Sequence, residues 1–147
     1  MTNLISNSER ATYNSAIDDI HDTFSRDIII WRQSAEVINS TDQNYDAFNN
    51  VGVQNTIYTS QSKIFKARIK YIDRQDKEFA LIVGNSKIDI TQEFQLVRIK
   101  IDSIANAYFD DCEKVTIDGI DFLPITTSRP HGLFTPTYYT IYLRGNP

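Results

Sequence analysis

Between Phe24 and Asp27 the hydrophobic period of this chain changes from that of a helix to that of a strand. Before the change, Tyr13, Ala16, Ile17, Ile20 and Phe24 recur at i, i+3, i+4, i+7 and i+11, one apolar helical face. Asp18, Asp19 and Asp22 fall on the other side. Ser6-Asn7-Ser8-Glu9 has capping-box spacing, in which Ser caps a backbone amide and Glu reaches back. The spacing predicts a helix over residues 7–24. Its single apolar stripe must be covered by the rest of the domain or by a partner.

Everything after Phe24 reads as strand and turn. Asp27 to Arg32 is a short β-branched run, and Ala35 to Asn39 is its partner or its continuation. Residues 40–62 are polar, with Tyr45, Phe48 and Tyr58 interspersed, and read as a long irregular segment; such segments in compact domains usually serve interactions. Over residues 64–72, Phe65, Ala67, Ile69 and Tyr71 alternate with Lys66, Arg68 and Lys70, the mark of a strand with one buried and one wet face. Phe79 to Val83 reads as an apolar strand, Gly84-Asn85-Ser86 as a turn, and Lys87 to Ile90 as the returning arm. Leu96 to Ile101 alternates again. Asp118-Gly119 between Val115-Thr116-Ile117 and Ile120-Asp121-Phe122 signals a type I′ hairpin, because both central residues need positive φ. Pro124 marks an edge or a fresh start, residues 128–136 a loop, and Tyr138 to Arg144 a last strand. The expected fold is mainly β: a small β-barrel or sandwich of six to eight strands, with one N-terminal α-helix and long loops, in a single domain over residues 1–147.

Length and charge narrow the function. A chain of 147 residues buries enough surface to fold without disulfides or metals. The net charge of −4 argues against a general affinity for phosphate backbones, which needs clustered Lys and Arg. Cys112 is the single cysteine, so no intrachain disulfide forms. Residues 1–8 lack the basic and apolar regions of a signal peptide. The longest apolar run, Phe79 to Val83, falls far short of the ~20 residues of a membrane helix, so no membrane partner is expected.

The motifs of catalysis are missing. His21 borders the helix stripe, His131 sits in the Pro-containing loop, and neither stands in a nucleophile motif. Asp18, His21 and Asp22 have metal-compatible spacing, but the carboxylates lie opposite the apolar face, where charges simply solvate a helix. Asp110-Asp111-Cys112-Glu113 reads as an acidic turn, in which a lone thiol is a poor nucleophile. No glycine-rich phosphate loop, CxxC or HExxH occurs. A non-enzymatic protein without cofactors is expected. Lys66, Arg68 and Lys70 beside Tyr71 are the best candidates for a strand-binding surface, though the acidic total favours a merely wet strand face. Trp31, Phe48, Phe134, Tyr138 and Tyr142 are surplus to the core that the alternating sets supply, and aromatic and Arg residues are enriched at interfaces.

Asp111 followed by Val115 to Ile125, the ensuing loop, and Tyr139 to Arg144 resembles the C-terminal half of head-closure (stopper) proteins of tailed-bacteriophage necks. Asp27 to Arg32 with Asn44 to Asn49 resembles their N-terminal part. The resemblance implies a virion structural protein, located in the neck and in the host cytoplasm during assembly. It would form a homo-oligomeric ring between a portal-side adaptor and the tail proteins and help to retain packaged DNA through non-specific contact. Residues 73–95 would form a projecting hairpin, with Phe79, Leu81 and Asn85 as channel-loop residues. Arg129, His131, Phe134 and Tyr138, with Tyr45 and Phe48, would mediate the contacts between subunits. The alternatives are a tail terminator or baseplate protein, a nucleic-acid-binding β-barrel and, last, a small enzyme.

Overall fold

The computed structural model describes residues 4–39, 55–85 and 94–145. The chain is mainly β, as expected, and its strands close into a barrel. Helix α1 (Asn7–Phe24) comes first and has the expected bounds. Ser6 accepts from the Glu9 amide at 3.2 Å, and the Glu9 carboxylate accepts from the Ser6 amide at 2.7 Å, completing the capping box. Then follow β1 (Arg26–Asn39), β2 (Asn55–Ile72), α2 (Lys77–Asn85), β3 (Leu96–Asp102), α3 (Ser103–Phe109), β4 (Cys112–Ile117), β5 (Ile120–Pro124), β6 (Arg129–His131) and β7 (Tyr138–Gly145).

The strands pair antiparallel in the order β3-β2-β1-β4-β5-β7, and β3 pairs with β7 from Leu96↔Arg144 to Asp102↔Tyr138. That last ladder closes six strands into a barrel and leaves no long edge between them. β6 lies beside the first half of β7, continuing the side that β5 occupies at the other half. Ile28 and Ile30 of β1, Val97, Ile99 and Ile101 of β3, Val115 and Ile117 of β4, Phe122 of β5, and Ile141 and Leu143 of β7 fill the interior. Ala105 and Phe109 of α3 join the same core, so this short helix packs onto the barrel interior beside β1, β3 and β7. The Asp118-Gly119 turn has φ of 52° and 81°, as a type I′ hairpin requires.

Four local expectations are corrected. Ala35 to Asn39 continues β1, and residues 55–62, expected to be irregular, belong to β2. β1 leaves β4 after Arg32↔Cys112, and a bulge separates Arg32↔Gln61 from Ala35↔Thr59. Beyond it, among the described residues, Ala35–Asn39 and Asn55–Thr59 pair only with each other, a ribbon roughly 15 Å long that continues past the other strands of the barrel. Residues 77–85 form helix α2 in place of the expected hairpin arm: Phe79, Ile82 and Val83 turn inward, and Lys77, Ala80 and Leu81 face out, which is helical spacing. Of the hairpin expected over residues 73–95, residues 86–93, with the returning arm at 87–90, lie outside the described residues. Ser103–Phe109 is a helix where none was expected, capped by the Asp102 carboxylate on the Ala105 amide at 2.7 Å. Within the expected loop 128–136, Arg129–His131 adds a short strand.

Candidate functional site

Helix α1 lies on the outer wall of the barrel and is fastened there by its one buried residue, His21. The His21 ring meets the Tyr138 ring at 4.5 Å, and the Tyr138 hydroxyl donates to the Asp18 carboxylate at 2.6 Å. The Arg68 guanidinium lies over the Tyr138 ring, 5.7 Å from its centroid. Burial lowers the His21 pKa below its ordinary value, and the Arg68 charge lowers it further. Burial also raises the Tyr138 pKa, and donation to Asp18 adds to that shift. Tyr138 is therefore not a free interface anchor: it is buried against its own helix.

Ile17 of the α1 stripe is half-buried, but its larger neighbours stay exposed. Tyr13, Ile20 and Phe24 are 53%, 47% and 69% exposed. Phe134 bridges this stripe to the loop between β6 and β7, lying 6.4 Å from the Tyr13 ring with the Arg10 guanidinium 5.1 Å over it. Leu133 beside it is exposed. Gly132 shapes that loop, since a Cβ there would sit 1.9 Å from the Thr135 carbonyl oxygen. Tyr13 and Phe134 thus join the helix to this loop, with Ile20 exposed two turns along the same helical face and Leu133 exposed next to Phe134 in the chain. Of the residues expected at an interface, Arg129 and His131 are exposed on β6, Phe134 is half-buried, and Tyr45 and Phe48 lie outside the described residues. The channel-loop set is on α2: Leu81 is exposed, Phe79 stacks on Phe94 at 5.8 Å, and Asn85 is the last residue of the helix. Trp31 and Tyr142 are half-buried and bonded within the chain, Trp31 through its indole N–H to Thr116 at 2.9 Å.

The second notable region is basic. Cross-strand partners share a face of the sheet, and the register sets charges in rows across β2, β3 and β7. Lys70↔Arg98↔Tyr142 forms one row. Glu78 of α2 serves all three, accepting from Arg98 at 2.6 Å, Tyr142 at 2.7 Å and Lys70 at 3.3 Å. These hydrogen bonds and the Arg98 charge hold its carboxyl below the usual range although burial opposes them. The next row is Arg68↔Lys100↔Thr140↔Arg129. Among the described residues no carboxylate forms a salt bridge with Arg68, Lys100 or Arg129. The Arg68 Nε and the Thr140 Oγ are buried without a hydrogen-bond partner. Phe24, Arg68, Ile69, Lys70, Arg98 and Lys100 line a surface pocket of about 270 Å³. Of the three basic residues singled out on β2, Arg68 and Lys70 enter this pocket. Tyr71 sits on the opposite face of the strand by alternation. Arg98 and Lys100 were legible as the polar half of the β3 alternation, but their partners were not.

Cys112 is half-buried, and burial, aided by Glu113, pushes its thiol up to about 12. Among the described residues no cluster of three or more His, Cys, Asp and Glu side chains is placed to hold a metal. Nor is any described helix long and apolar enough to cross a membrane. Comparison with family models, with curated proteins and with solved structures finds no match to this chain.

Proposed function

We propose that this chain is a structural subunit that assembles with copies of itself into a ring, in the manner of the neck proteins that close a tailed-phage head and join it to the tail. The observation that carries this reading is the set of apolar side chains Tyr13, Ile20 and Leu133, which stay exposed on the helix and on the loop that Phe134 joins to it. A helix with an apolar stripe gains stability by burying it, and a contiguous apolar patch on a small domain marks an interaction site. A head-to-tail contact repeated around an axis buries such a patch on every copy at once. The closed barrel with an outlying helix and a two-stranded ribbon supports the same reading, since the ribbon offers backbone edges for a neighbouring subunit.

The test is assembly. Mass spectrometry of particles purified from the host that carries the gene is expected to detect the chain in stoichiometric amount, and electron microscopy to find it as a ring. Tyr13→Ser with Ile20→Ser is expected to abolish incorporation while leaving the barrel folded. Absence from particles, or undiminished incorporation of the double variant, overturns the reading.

A further inference from the structure

We infer that the outer-wall pocket between the end of α1 and α2 is a phosphate-binding site, shaped for the phosphate of a nucleotide whose base lies against Phe24. The inference does not rest on the assembly reading. It starts from an electrostatic imbalance. Like charges directly opposite on neighbouring strands repel, and here two such pairs, Arg68↔Lys100 and Lys70↔Arg98, stand side by side. The Lys70–Arg98 row is neutralised by Glu78. On the far side of the pair, the row Asp102↔Tyr138↔His131 carries its own carboxylate, and Asp18 accepts from Tyr138. The middle row, Arg68, Lys100 and Arg129, has no acid in salt-bridge range among the described residues.

In a chain of net charge −4 this concentration of cations without a counter-charge among the described residues is a local exception. An anion on the middle row relieves the repulsion. Guanidinium and ammonium donors together suit a tetrahedral oxyanion, Arg by its fork and Lys as a point charge. Thr140 stands beside Lys100 in the same row, a residue 4% exposed whose hydroxyl is buried and unpartnered. The half-buried Lys100 acts in the same sense: burial, then Arg68 and Arg98, lower its pKa, and a bound anion opposes that shift. The space, about 270 Å³, exceeds what a bare phosphate fills. Phe24 supplies a flat apolar wall beside the cations, on which a base stacks regardless of its identity.

A free nucleotide and one nucleotide unit of a single strand present the same phosphate and base, and titration separates them. Calorimetry at low ionic strength uses inorganic phosphate, thymidine 5′-monophosphate, an oligothymidylate and polyglutamate as probes. Saturable binding of phosphate and of the nucleotide is expected. Arg68→Gln and Lys100→Gln are each expected to weaken both by about tenfold, the size of a lost charged hydrogen bond. Glu78→Gln is expected to strengthen both, since Lys70 and Arg98 lose their competing carboxylate. Phe24→Ala is expected to weaken the nucleotide by about fivefold or more, the effect of a lost base stack, while leaving inorganic phosphate unchanged. Tighter binding of the mononucleotide assigns the site to free nucleotides, and tighter binding of the oligothymidylate assigns it to a strand. Lys100→Gln guards against misfolding, because the Lys100 side chain touches no ring and bonds no described residue. Absence of saturable phosphate binding, indifference of the nucleotide to both Arg68→Gln and Lys100→Gln, or polyglutamate binding as tightly as oligothymidylate overturns the inference.

Discussion

The Tyr138 hydroxyl and the Asp18 carboxylate meet at 2.6 Å across a separation of 120 residues, tying the first helix to the last strand. With the His21 ring tilted against the same ring at 4.5 Å, this contact fastens α1 to the barrel wall. Tyr138→Phe removes a hydrogen bond to a charged acceptor at a partly exposed site, a loss of about 1 kcal/mol. The variant is expected to keep the barrel and to expose the α1–β1 junction at Ser25 to limited proteolysis faster than the parent. Tyr138→Ala is expected to undock α1 altogether. Equal proteolysis rates for parent and variant would refute this fastening.

Acid is expected to loosen the same helix. The folded pKa of His21 lies below its ordinary value of 6.5, chiefly through burial and then through Arg68, with Asp102, Asp22 and the Lys66 backbone opposing. Below 6.5 the unfolded chain therefore binds more protons than the folded one, and stability falls as pH drops from 6.5 toward the folded pKa. Glu78 and Asp121, whose folded pKa values are lowered, lose their contributions only below the ordinary carboxylate range, at more acidic pH. Melting temperature measured from pH 7 to 5 is expected to decline in the parent and less steeply in His21→Phe, the remaining slope coming from the more exposed His131, whose pKa burial and then Lys100 and Arg98 also lower. An equally steep decline in that variant would place the titration elsewhere.

Two glycines separate steric need from mere tolerance. Gly132→Ala would set a Cβ 1.9 Å from the Thr135 backbone oxygen, and backbone does not yield as a side-chain tip does. The loop carrying Leu133 and Phe134 must rearrange, and a fall in melting temperature with loss of the Phe134–Tyr13 contact is expected by NMR. Gly84→Ala, in α2 with nothing within 4 Å of the added carbon, is expected to be neutral or to stabilise by about 0.5–1 kcal/mol through helix propensity. The reverse ranking of the two variants would contradict the loop geometry.

The thiol of Cys112 is expected to be inert. With its pKa pushed up to about 12, very little thiolate exists at pH 8, and the thiolate is the reactive form. Labelling by a disulfide reagent should be slow in the folded protein and complete in denaturant. Rapid labelling of the native chain would mean that the barrel opens at this edge.

What the sequence by itself determined was whatever a few neighbouring residues decide. The capping box at Ser6 and Glu9 and the stripe from Tyr13 to Phe24 set α1, because a helix is defined by contacts three and four residues apart. Asp118-Gly119 set its hairpin because only two backbone angles are at issue. The alternation in β3 and β7 announced which side chains face the core, and the mainly β class followed. The five-residue run Phe79 to Val83 carried no such decision, since a short apolar run suits a buried strand and a helix equally, and here Phe79 and Val83 at i and i+4 found a surface to pack on. α3 spans seven residues, two turns, too few for a period to stand out; the Asp102 cap and the pattern Ala105, Tyr108, Phe109 are its only local marks. The middle row of Arg68, Lys100 and Arg129 has no local mark at all. Those residues come from three strands and become neighbours only through the antiparallel register that closes the barrel, and that register is a property of the tertiary structure because it is the burial of one face of every strand together that selects it.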